Sequence, residues 1–112
     1  MVPIATATNK AGKPINAGKA PQGIAITPNG ETAYVLDYLS NRVTPIATST
    51  NTPGPPIKTG TYPGMIAITP NGNTAYVANV RSATLTPINT ATNKPGQPLK
   101  VGGDPQAMAI AR

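Results

Sequence analysis

Short apolar runs alternate with clusters of Pro, Gly, Asn and Thr along the whole chain, and no stretch carries apolar residues at i, i+3, i+4 and i+7 with helix formers between them. This pattern predicts strands and turns. One unit shows it best. Residues 23–27 form an apolar run bounded by Pro21 and Pro28, and residues 32–37, rich in Tyr and Val, form a second. Pro28-Asn29-Gly30 lies between them, with one residue that tolerates positive φ and one that prefers it, as a tight hairpin requires. Residues 43–48 and 56–59 are predicted as a third and fourth strand, joined by a Ser/Thr/Asn-rich turn.

The unit recurs at an offset of 42 residues without a gap: Pro3, Pro45 and Pro87 align, as do Ile4, Ile46 and Ile88, and Gly18, Gly60 and Gly102. Ile24-Ala25-Ile26 matches Ile66-Ala67-Ile68 and Met108-Ala109-Ile110, and Thr32-Ala33-Tyr34-Val35 matches Thr74-Ala75-Tyr76-Val77. Four strands in about 40 residues is the size of one β-propeller blade. The run Ile24-Ala25-Ile26 has no polar face, as suits an inner strand covered on both sides, whereas a strand with one wet face alternates.

With strands A to D named from the propeller axis outward, residues 1–18 supply strands C and D, residues 19–60 and 61–102 are full blades, and residues 103–112 supply a further strand A. The expected fold class is therefore all-β. It is a β-propeller of four-stranded antiparallel blades, an open arc of about 2.7 blades per chain completed by self-association.

Tyr34-Val35-Leu36-Asp37 and Tyr76-Val77-Ala78-Asn79 resemble the tetrapeptide of the YVTN-type β-propeller repeat, and the preceding Pro-x-Gly-Ile-Ala-Ile-Thr-Pro-Asn-Gly and the Thr-Asn turns are similar to the same family. The resemblance covers essentially the whole chain. It implies an extracellular or cell-surface location, a surface-layer-like character and no single activity. Two features depart from the family pattern. Pro3, Pro45 and Pro87 fall inside strand C, where the missing N–H predicts a bulge or shortened pairing with strand D. Pro14, Pro56 and Pro98 fall in strand D, an outer edge where Pro blocks edge-to-edge aggregation. The second departure is that fewer than three blades cannot close a ring.

An open arc leaves two apolar blade faces bare. Four to six Ile or Val side chains per face would forfeit on the order of 10 kcal/mol, comparable to the stability of a whole domain. The chain is therefore expected to partner itself. Two copies come to about six blades with two incomplete, within the usual range of four to eight, so a dimer is favoured over a filament.

Composition narrows the chemistry. There is no Cys and no His among the 112 residues, which removes disulfides, thiol chemistry and triads of the Ser-His-Asp kind. Three acidic residues at unrelated repeat positions make neither a glycosidase pair nor a cation cage, so no metal, cofactor or catalytic residue is expected. Nine basic residues give a net charge of +6, but Lys10, Lys13, Lys58, Lys94 and Lys100 fall in C–D turns or outer strands spread around the circumference, which argues against a specific nucleic-acid groove. No apolar run is long enough for a membrane span, and no signal peptide is expected in this chain.

Within the repeat, the A–B and C–D turns are nearly invariant, and turn chemistry explains that. The D–A and B–C loops of the opposite rim differ between repeats: Lys19-Ala20 becomes Thr61-Tyr62 and then Gly103-Asp104. Such positions are where a protein or glycan ligand could have shaped the sequence. The rim candidates are Asp37, Tyr38, Arg42, Tyr62, Arg81 and Asp104; Tyr34 and Tyr76, being periodic, read as core. The expected function is a non-catalytic binding or scaffolding module. The alternatives are a propeller enzyme of lactonase or lyase type, and an isolated or engineered fragment without activity of its own.

Overall fold

The computed structural model describes residues 1–103, 105 and 108–111. Every regular element among them is a β-strand. Two four-stranded blades stand side by side. The first is built from β3 (Pro21–Ile26), β4 (Thr32–Asp37), β5 (Arg42–Ala47) and an outer strand in two pieces, β6 (Thr52–Pro53) and β7 (Ile57–Lys58). The second repeats it with β8 (Pro63–Ile68), β9 (Thr74–Asn79), β10 (Thr84–Asn89), β11 (Lys94–Pro95) and β12 (Leu99–Lys100). A half-blade of β1 (Ile4–Ala5) and β2 (Lys10–Ala11) precedes them. All pairings are antiparallel. Serial antiparallel sheets stacked through their faces are consecutive blades of a propeller.

The split of strand D has its cause in strand C. The Pro45 carbonyl accepts the Gly54 N–H at 2.7 Å, and an antiparallel residue directs its N–H and C=O to the same neighbour. The donor that Pro45 lacks therefore faces strand D. The β4–β5 ladder on its other side runs unbroken from Thr32↔Ala47 to Asp37↔Arg42, across Tyr34↔Pro45. Strand D leaves the ladder after Pro53 and rejoins it at Ile57 with the register moved by one residue. Pro3 with Gly12 and Pro87 with Gly96 repeat the arrangement at 2.8 and 2.7 Å. The shortened pairing expected from sequence is present. The second piece, Ile57–Lys58, is shorter than the expected 56–59, and the first, Thr52–Pro53, falls in the stretch expected as turn; Pro14, Pro56 and Pro98 all lie outside the strand pieces.

The A–B turn also differs from expectation. The Gly30 N–H donates to the Thr27 carbonyl at 2.8 Å, and Gly30 has φ +77°, but Asn29 stays out of the positive region. This is a turn with Pro at its second position and Gly at its fourth, the type I preference. Asn29 contributes through its side chain, whose Oδ1 accepts the Glu31 N–H at 3.0 Å. Positive φ at Asn occurs elsewhere, at Asn9, Asn51 and Asn93 in the C–D turns and at Asn41 in a B–C loop.

Two apolar layers lie between the blades. Tyr34, Leu36, Val43 and Ile57 on one face of the first blade pack against Ala75, Val77 and Ile88 of the second, with Ile66 and Ile68 alongside. The opposite face of the first blade, with Ala33, Val35 and Ile46, packs against Ile15 and Ala17 of the half-blade. The half-blade covers only the outer part of that face. On β3, Ile24 is 53% and Ile26 57% exposed, whereas their equivalents Ile66 and Ile68 on β8 are half-buried. At the other end, Leu99 is 49% exposed where the equivalent Ile57 is 4% exposed.

The strand A expected over residues 106–111 does not form over residues 108–111, while Gln106 and Ala107 lie outside the described residues. Ile110 lines one cavity with Ala67 and Ile68 of β8 and Ile26 of β3, and belongs to no strand.

Candidate functional site

The loops sort onto two rims as the repeat implies. On one rim the C–D and A–B turns meet: the Thr48 N–H donates to the Glu31 carbonyl at 3.0 Å, and Thr90 to that of Asn73 at 3.1 Å. On the other, the D–A and B–C loops meet, through Lys19 with Asp37 and through Tyr62 with Asn41. The variable residues lie on this second rim.

Three of the six rim candidates come together there. The rings of Tyr38 and Tyr62 are 5.0 Å apart, edge to face at 62°, and the Arg81 guanidinium lies 4.8 Å above the Tyr62 ring. Each arrangement is favourable for rings with a negative face and a positive edge. Tyr38 belongs to the B–C loop of the first blade, Arg81 to that of the second, and Tyr62 to the loop that connects the blades. The cluster thus spans the seam between blades.

Tyr62 has φ +61°, an unusual conformation for a bulky residue. Its neighbours hold it. Its N–H donates to Asn41 Oδ1 at 2.9 Å, and its carbonyl accepts the Val80 N–H at 3.0 Å. Ala20, at the equivalent position, is not in that region. The resulting ledge, two half-buried rings and an exposed cation, can stack a flat ligand and pair with an anion.

Asp37 and Arg42 are placed elsewhere on the same rim. They face each other across the β4–β5 ladder and line one cavity together with Asn16, Gly18, Ser40 and Thr44. Asp37 is buried. Its carboxylate accepts the main-chain N–H groups of Lys19 (2.8 Å), Leu39 (3.2 Å) and Ser40 (3.3 Å). Burial by itself would raise its pKa, but these bonds together with the Ser40 side chain outweigh it and hold the carboxyl below its ordinary value. Asp37 therefore serves the loop and has little left to offer a ligand. Arg42 is exposed. Asp104 lies outside the described residues.

Asn79 is the repeat equivalent of Asp37, and it solves the same loop differently. Its Nδ2 donates to Thr84 Oγ1 (3.1 Å) and Thr86 Oγ1 (2.8 Å), while Ser82 Oγ takes the Thr61 N–H at 2.9 Å. Asn79 Oδ1 is buried without a partner among the described residues. Asn41 and Ser82 stand outside the six rim candidates. Their signal was available, since both lie in the variable B–C loops and both can accept a main-chain N–H.

No known family model matches this sequence, and no curated protein does either. Solved structures do match. The chain is similar to the hydrazine synthase of Kuenenia stuttgartiensis, with a TM-score of 0.86 and 25% identity over 92% of this chain and 30% of that one. It is similar to a functionally unknown protein from Desulfotomaculum acetoxidans, with a TM-score of 0.84 and 24% identity over 99% of this chain and 38% of that one. AztD from Citrobacter koseri matches with a TM-score of 0.76 and 13% identity over 93% of this chain and 30% of that one. The chain thus spans about a third of the length of these structures.

Proposed function

We propose that this chain is a non-catalytic β-propeller scaffold that assembles by stacking its end blades against a second copy and displays its variable rim to a ligand. The observation that carries the assembly is the contrast between equivalent residues: Ile57 is 4% exposed inside the arc and Leu99 49% at its edge. The sequence makes the same apolar face in both blades, and only one of them is covered. A dimer of about six blades covers the other within the usual ring sizes. The tetrapeptides at Tyr34 and Tyr76 resemble the YVTN-type repeat, which supports an extracellular or cell-surface setting.

A non-catalytic role is favoured by the residue inventory. There is no His or Cys, and of the three acidic residues Asp37 is occupied by main-chain N–H groups. The ledge of Tyr38, Tyr62 and Arg81 favours a ligand that combines a face able to stack on an aromatic ring with negative charge, such as an acidic glycan or the acidic face of a protein.

Native mass spectrometry at micromolar concentration tests the assembly. A two-chain species that reverts to single chains on Leu99→Lys is the expected result. A stable single chain in the unsubstituted protein overturns the proposal. Titration calorimetry with acidic and neutral oligosaccharides tests the ledge, and Arg81→Ala should weaken binding to the acidic ones alone.

A further inference from the structure

Resting on the assembly reading above, we infer that Tyr76 of one copy donates its hydroxyl hydrogen bond to Asn9 of the other, and that this pair sets the register of the joint. The template lies within the chain. The Tyr34 hydroxyl, on strand B of the first blade, donates to Asn93 Oδ1 at 2.6 Å, 59 residues further on, in the C–D turn of the second blade. This bond ties one blade to the next on the rim of invariant turns.

Tyr76 is the repeat equivalent of Tyr34. It is half-buried where Tyr34 is buried, and its hydroxyl has no partner among the described residues. The same step taken from Tyr76 leads to the C–D turn of a further blade. The acceptor there is a turn Asn of the phase of Asn93. Asn9 and Asn51 share that phase and that backbone, with φ of 56° and 55° against 56° for Asn93. Neither makes a side-chain hydrogen bond among the described residues.

Packing selects between them. Asn51 belongs to the first blade, whose outward face is already occupied in its outer half by Ile15 and Ala17. Asn9 belongs to the half-blade, where Ile4, the equivalent of buried Ile46, is exposed. An incoming face bearing Tyr76, Leu85 and Leu99 therefore meets Ile4 and Asn9 with the relation that the face of Tyr34 and Ile57 has to Ile88 and Asn93 inside the arc.

One substitution made in three equivalent turns tests the pairing, because Gly keeps the left-handed backbone and removes only the amide. Asn93→Gly should lower the melting temperature of the chain itself. Asn9→Gly should leave melting of the single chain unchanged and weaken association roughly five- to a hundredfold, because a closed pair holds two such joints and loses one neutral hydrogen bond at each. Asn51→Gly should do neither. Tyr76→Phe should match Asn9→Gly, and the double variant should be no weaker than either alone. If Asn9→Gly and Tyr76→Phe associate as tightly as the parent, the joint is overturned while assembly stands. If the parent itself runs as a single chain, assembly and joint fall together.

Discussion

The Asp37 carboxylate accepts the Lys19 main-chain N–H at 2.8 Å, and Gly18, immediately before Lys19, approaches so closely that a Cβ there would overlap the carboxylate. The D–A loop is thereby fastened to the end of strand B, beneath the rim that carries the variable residues. All the main-chain partners of Asp37 are donors, so the position calls for an acceptor on both oxygens.

Asp37→Asn replaces one oxygen by a donor group and sets it against N–H groups. A loss of about 1–3 kcal/mol is expected by denaturant unfolding. The pH dependence follows from the lowered pKa. The contribution of the carboxylate is complete above its unfolded value, about 4, and is lost as pH falls through the lower folded value. The acid limb of the stability profile should therefore flatten in Asp37→Asn.

Gly18 and Gly30 both have positive φ, at 102° and 77°, but only Gly18 is crowded. Gly30→Ala should cost about 1 kcal/mol, the backbone penalty alone. Gly18→Ala adds displacement of Asp37 and should cost severalfold more. Thermal melts of the two variants side by side check this, and equal losses would contradict the close approach.

Burial pushes the Tyr34 hydroxyl above its ordinary pKa, and the phenolate could not donate to Asn93. The stabilisation is complete below the unfolded value, about 10, and is lost as pH rises through the higher folded value. Tyr34→Phe should lower stability by about 1 kcal/mol at neutral pH and lose less than the parent at alkaline pH. Absorbance titration of the phenols provides an independent check.

Tyr62 combines a costly backbone conformation with favourable ring contacts. Gly at position 62 removes both and Ala removes only the second. Tyr62→Gly should therefore be more stable than Tyr62→Ala by about 1 kcal/mol, the reverse of the order for an ordinary strand or helix position. Calorimetric melting separates the two.

Much of the fold was legible along the chain. The runs at 32–37 and 43–48 became β4 and β5 with a shift of at most one residue, because strand phase and Pro/Gly punctuation are local properties. The interruption of strand D could be anticipated from Pro45, since a missing N–H breaks a ladder wherever it points. Its restriction to one side came from the direction of the Pro45 carbonyl, which the chain order does not reveal. Of the rim candidates, the sequence identified Tyr38, Tyr62 and Arg81 without indicating that they touch. It gave Asp37 the same standing as its neighbours, although its oxygens are spent on the backbone.

The sequence by itself determined the repeat, the strand count of a blade and the turns between strands, because each depends on residues close in the chain. Tertiary structure alone decided which copy of a repeated residue is core and which is surface. Tyr34 and Tyr76 sit in equivalent Thr-Ala-Tyr-Val segments, yet one is buried and bonded to Asn93 and the other half-buried and unbonded among the described residues. The physical reason is that burial belongs to whatever lies across the face, and the sequence of a blade is silent about its neighbour.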